Sequence, residues 1–245
     1  MTKNNVVWQS ESKLHKILLW LTIPIGVVTM FLIFIWSPVE VTMGVVQKIF
    51  YFHVGSAWVA FLAFGVVFVY SILYLIKRKR IYDIIAGISA EIGVVFTTIV
   101  LTTGPIWGRS AWNTWWTWEP RLTTTLILWF IYVSYIMVRR MDGAWEKKAR
   151  LASVFGIIGF IDVPIVFMAI RWWNSKLHPI VFGDGPTQQG GGIEPEMLFT
   201  LLFTLGFITL LYIVLLQKGI YIEKAKIAIA QNKKAIQEKL MNKIS

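Results

Sequence analysis

The chain has 245 residues, 56% of them hydrophobic and only 15% charged, with a formal net charge of +11. A soluble domain of this length carries charge on about a quarter of its positions, so this composition, with a mean hydropathy of +0.64, points to an integral membrane protein forming one domain. The lack of cysteine excludes disulfides, thiolate metal sites, iron–sulfur clusters and cysteine nucleophiles, and a basic excess in so apolar a chain suits an anionic leaflet rather than nucleic acid.

Taken in order, six runs are long enough to cross a bilayer, which needs about 20 apolar residues: 17–36, 54–76, 84–104, 122–140, 151–170 and 197–217. The expected fold class is therefore an all-α integral membrane protein with six transmembrane helices. The first run is too long for a signal-peptide core and lacks a small-residue cleavage site, so it is expected to remain as a span. Lysine and arginine set the orientation. The N-terminal flank, the loops at 77–80 and 139–150 and the tail after 217 hold 19 of the 24 basic residues. Both termini are thus expected on the cytoplasmic (or matrix) side, with three outer loops facing the periplasm or its equivalent. The tail, 218–245, alternates lysine with isoleucine and alanine and reads as a basic amphipathic helix on the membrane surface.

The outer loops carry the unusual residues. The first, 37–53, ends in Phe50-Tyr51-Phe52, with His53 at the mouth of the second span. The second is WGRSAWNTWWTWEPRLT, residues 107–123, in which Trp107, Trp112, Trp115, Trp116 and Trp118 are interleaved with Arg109, Glu119 and Arg121. At about 100° per residue these tryptophans would share one half of a helix, ended by Pro120. The simplest account is an interfacial aromatic belt; the density favours a platform for a flat apolar ligand with acidic groups. The third loop opens with Arg171, Trp172 and Trp173, reaches His178, and continues into the glycine-rich FGDGPTQQGGGIEPE.

Of three histidines, His15 reads as a surface residue in the basic flank, whereas topology brings His53 and His178 to the same leaflet beside the tryptophans. Two neutral imidazoles, an indole face and guanidinium groups fit haem: the imidazoles take axial positions on iron, the indoles stack on the ring, and Arg109 and Arg121 pair with the propionates. A zinc site lacks ligands at close spacing, and hydrolase, Walker and Rossmann patterns are missing, so no catalytic set is expected. Glu91 and Asp162 fall inside spans. Each reads first as a structural hydrogen bond, with Asp162 serving a backbone group freed near Pro164.

At these residues the chain resembles the haem exporter protein C (CcmC) family of cytochrome c maturation, whose signature is a tryptophan-rich "WWD" motif. WGRSAWNTWWTWEPRLT follows that motif closely, FYFHVGSAW around His53 is similar to the family's first histidine motif, and IRWWNSKLHP with QQGGGIEPEM is similar to its second. The likeness covers roughly 47–200. It implies haem b as transient cargo on the outer face, His53 and His178 as axial ligands, and the tryptophan loop beside the ring. It also implies residence in a bacterial inner membrane and delivery to the haem chaperone CcmE, in a complex with the ABC-transporter subunits CcmA and CcmB and the small subunit CcmD. One departure is Glu119, where the family has aspartate; the charge is kept with one more methylene of reach. Two other readings compete. A cytochrome c synthetase would be longer and carry more histidines within its spans. A permease or scaffold subunit would use its aromatics only as anchors.

Overall fold

The structure is a computed structural model that describes residues 13–41, 43–173 and 193–244. Among the described residues the regular structure is helical throughout, apart from one isolated bridge between Glu40 and Gly44. Six helices follow one another: α1 (Lys13–Phe31), α2 (Ile49–Lys77), α3 (Arg80–Trp112), α4 (Pro120–Arg140), α5 (Trp145–Trp172) and α6 (Pro195–Ile244). All six are long and apolar enough to cross a membrane. Helices are what a bilayer permits, because each satisfies its backbone polar groups internally. Five of the spans expected from composition lie inside one of them, and the first, 17–36, runs through α1 and the π-helical turn that follows it.

Local chemistry explains the ends. α1 widens into a π-helical turn, Leu32–Trp36. The Lys48 ammonium, carried by a 3-10 turn at Val45–Lys48, donates to the Phe34 carbonyl at 2.7 Å within that turn. α2 ends at Arg78, which adopts a left-handed backbone conformation (φ 53°) that reverses the chain directly into α3. α4 opens with Pro120 at its first position, where the missing N–H costs nothing.

α2 and α3 share the most extensive interhelical contact. In mid-bundle Phe64 of α2 stacks on Tyr132 of α4, with centroids 3.7 Å apart and planes within 11°. Gly93 of α3 makes room: a Cβ there would sit 2.5 Å from the Phe64 ring. Polar side chains are spent between helices. Ser89 Oγ donates to the Ala63 carbonyl at 2.8 Å and accepts from Tyr212 at 2.7 Å, joining α2, α3 and α6. Tyr132 donates to the Gly156 carbonyl at 3.2 Å. Where α3 begins and α4 ends, Arg139 of α4 pairs with buried Asp83 of α3.

Three expectations, for His15, Asp162 and Glu91, need correction. His15 is buried, with Nδ1 2.9 Å from Gln217 Oε1, so it ties α1 to α6 instead of facing solvent. α6 carries the expected span at 197–217 and continues through the tail as one helix of 50 residues, about 75 Å at 1.5 Å each. No proline interrupts it after Pro195, and Gly206 and Gly219, the latter packed on Ile88, are too weak as breakers to end it. Asp162 Oδ2 is buried without a hydrogen-bond partner among the described residues, so it does not serve a backbone group at the Pro164 position. Glu91 is exposed and likewise makes no hydrogen bond or ion pair there, because its face of α3 points out of the bundle.

The Gly93 contact has a measurable consequence. Gly93→Val must displace Phe64 from its stack and should destabilise the bundle by about 1–3 kcal/mol. A lowered thermal midpoint in detergent, with Gly206→Val as the control at a position with open space around it, is the expected reading.

Candidate functional site

At one end of the bundle α2, α3 and α4 together enclose a partly open cavity. Its lining includes His53, Gly104, Trp107, Trp112, Trp115, Trp116 and Arg121. Residues 53, 107 and 121 come from three different helices.

His53 lies one turn inside α2 and is held from α3. Its Nδ1 is 2.9 Å from Thr103 Oγ1. The single Thr103 hydroxyl proton is committed to the Ile99 carbonyl at 2.7 Å, so the threonine oxygen accepts and Nδ1 carries the hydrogen. Nε2 then keeps its lone pair, the form in which imidazole binds a metal. One turn further, Trp107 meets His53 edge-to-face at 5.8 Å. Trp107 is itself buried in a cluster with Ile33, Phe50, Tyr51 and Leu201. Gly104 admits the imidazole: a Cβ there would lie 3.3 Å from His53 Cε1. Pro105 lacks the N–H that would bond the Leu101 carbonyl, and both residues line the cavity.

The tryptophan run is not one helix. α3 stops at Trp112, where Asn113 takes a left-handed conformation (φ 56°) that asparagine tolerates, and the Gly108 carbonyl accepts the N–H groups of Asn113 and Thr114. Residues 113–119 are non-helical. Pro120 reinforces this, because the residue before a proline is driven out of the helical region, and Glu119 is extended in ψ at 148°. The five indoles therefore do not share one helical half. Trp107 is buried, Trp115 is 61% exposed at the rim, and Trp118, 75% exposed, stands outside the lining. Trp107 lies 5.6 Å from Trp112, and Trp116 meets Trp118 edge-to-face at 5.8 Å. The indole N–H groups of Trp107 and Trp116, both cavity-lining residues, are buried with no acceptor among the described residues.

The two arginines part company. Arg121 lines the cavity and has no hydrogen bond or ion pair from its guanidinium among the described residues, with Arg171 close enough for the like charges to repel. Arg109 points away and binds the Asn113 side chain and carbonyl, closing the end of α3. Glu119 is the N-cap residue of α4 and is not part of the cavity lining. Trp172 and Trp173 are exposed at the end of α5, edge-to-face at 5.9 Å and likewise outside the lining. His178 and most of the glycine-rich loop lie outside the described residues. Thr103, Gly104 and Pro105 were passed over in the sequence. The signal for Thr103 is its position one helical turn before Trp107, on the same face.

Comparison with known proteins bears on what this arrangement does. The family model described as haem exporter protein C matches residues 1–236. The chain is 33% identical to the haem exporter protein C of Bradyrhizobium diazoefficiens over 71% of its length and 67% of the relative's. It is 32% identical to the protein of the same name in Escherichia coli, over 78% and 77%. It is also 32% identical to a putative cytochrome c biosynthesis ccmC-like mitochondrial protein of Marchantia polymorpha, over 74% and 77%.

Thr103→Val keeps the shape and removes the acceptor. Nitrogen-15 NMR of the His53 ring should show Nδ1–H in the wild type and a mixture with Nε2–H in the variant. An unchanged ring spectrum would mean that another group sets the tautomer.

Proposed function

The chain belongs to the haem exporter protein C family, a multipass membrane component of haem handling in cytochrome c maturation, and on that premise we propose that the cavity between α2, α3 and α4 holds haem b as transient cargo. The observation that carries this is the convergence, in one cavity, of an imidazole with its Nε2 lone pair set, indole walls, and a guanidinium that meets no counter-anion among the described residues.

A metal-bound porphyrin matches that donor set. His53 supplies one axial nitrogen and His178, from the third outer loop, the other. Arg121 takes a propionate, with Arg171 as a second cation nearby. The N–H groups of Trp107 and Trp116, buried with no acceptor among the described residues, cost about 1–3 kcal/mol each while unsatisfied, a cost that an acidic cargo offsets. Arg109 contributes indirectly, by closing α3 so that Trp112 to Trp116 frame the cavity, and Glu119 by starting α4. Trp172 and Trp173 stand at the mouth of the third loop.

The chemistry is transfer, with no bond-making acid–base set. Exposed Trp115 leaves the cargo accessible at the rim, where the chaperone CcmE collects it; CcmA, CcmB and CcmD complete the complex. The basic flanks on the opposite side support a periplasmic rim in a bacterial inner membrane, with both termini in the cytoplasm.

Purified protein should show an axial-imidazole haem spectrum that is lost in His53→Ala. Arg121→Ala should weaken haem retention about ten- to a hundredfold, the worth of a charge-assisted hydrogen bond, and Arg109→Ala much less. Wild-type retention in Arg121→Ala, or no haem in the wild type, would overturn the assignment.

A further inference from the structure

Glu91 stands out among the side chains that α3 turns away from the bundle. It is exposed, and Val95, Thr98, Thr102 and Ile106 follow it on the same face at spacings of three and four, all exposed. It lies eleven residues beyond Arg80, whose basic cluster marks the inner boundary, about 16 Å along the axis. That is hydrocarbon depth. The face's two hydroxyls are already satisfied. Thr98 donates to the Val94 carbonyl at 2.8 Å and accepts from Trp129 Nε1 at 2.9 Å, while Thr102 donates to the Thr98 carbonyl at 3.0 Å. Lipid covers both at little cost. It does not cover a carboxylate, which at this depth faces protein or water. The cation whose charge reaches Glu91, Arg139, is already bound by Asp83.

From this face we propose a docking surface for a transmembrane helix of another protein that sets a lysine or arginine opposite Glu91. Charge complementarity chooses the occupant. A second copy of this chain, related by an axis along the membrane normal, would bring Glu91 against Glu91 at equal depth, a repulsive pairing. Side chains of modest size between Glu91 and Thr102 let a neighbouring helix approach closely. The inference concerns the inner half of α3 and stands apart from the cargo reading.

The chain in its native membranes tests it, with the photo-crosslinking residue p-benzoylphenylalanine at Val95 and, as control, at exposed Ile158 on α5. Mass spectrometry should identify an adduct, specific to Val95, with a membrane protein whose span carries a lysine or arginine in its cytoplasmic half. Glu91→Lys should lower the yield at least about tenfold, and a reciprocal acidic substitution in the partner should restore it, with haem content unchanged. Adducts with lipid or a second copy only, a partner span lacking any basic residue, or an unchanged yield in Glu91→Lys would each overturn the proposal. If Glu91→Lys does not accumulate, Thr98→Trp fills the face while keeping the carboxylate, and the same drop or constancy in yield decides.

Discussion

The outer half of this molecule depends on one interlock, in which Thr103 and Trp107, a helical turn apart on α3, grip His53 of α2 from two sides. The threonine fixes which ring nitrogen carries hydrogen. The tryptophan fixes where the ring lies, because it is anchored among Phe50, Tyr51, Ile33 and Leu201. Neither constraint works without close helix approach, and Gly104 supplies it by leaving its Cβ position to the imidazole edge. A metal-binding side chain held by two independent contacts is pre-organised, so little ordering entropy remains to oppose binding.

The termination of α3 distributes the aromatic residues. A helix continued through residue 118 would have set the indoles along one side. The left-handed Asn113 and the restriction imposed by Pro120 instead fold the segment back toward α4, so that Trp107 becomes floor and Trp115 becomes rim, with Trp118 outside the lining. The same turn separates two arginines that look equivalent in the sequence. Arg109 is consumed in closing the helix, while Arg121, at the start of the next one, lines the cavity with no counter-anion among the described residues. A charge kept there without a counter-anion makes sense in a protein that handles an acidic, releasable cargo.

The two carboxylates of α3 show how orientation on one helix divides roles. Asp83 faces inward and is neutralised by Arg139, a pair that joins α3 to α4 near the basic side. Glu91, eight residues on, faces outward within a helix long and apolar enough to cross a membrane. The intrahelical bonds of Thr98 and Thr102 satisfy the hydroxyls on that face, whereas Glu91 makes no hydrogen bond or ion pair among the described residues.

Residue order alone determined the number of spans, because bilayer thickness demands long apolar runs whatever their neighbours. It also brought His53 and the tryptophan segment to one leaflet, because short connections leave each helix a single direction. The WWD-like segment and its flanking histidine motifs carried the family, which the comparisons bear out. What it left open depends on contacts between residues far apart in the chain. The burial of His15 against Gln217, the choice of Arg121 over Arg109, and the role of Thr103 follow from which helix faces meet, and helical periodicity describes a face without naming its neighbour. The division of the tryptophans lay between these cases. Asn113 and Pro120 were visible as breakers, but only the packing of Trp107 against α2 decided where the helix would end and what the remaining indoles would surround.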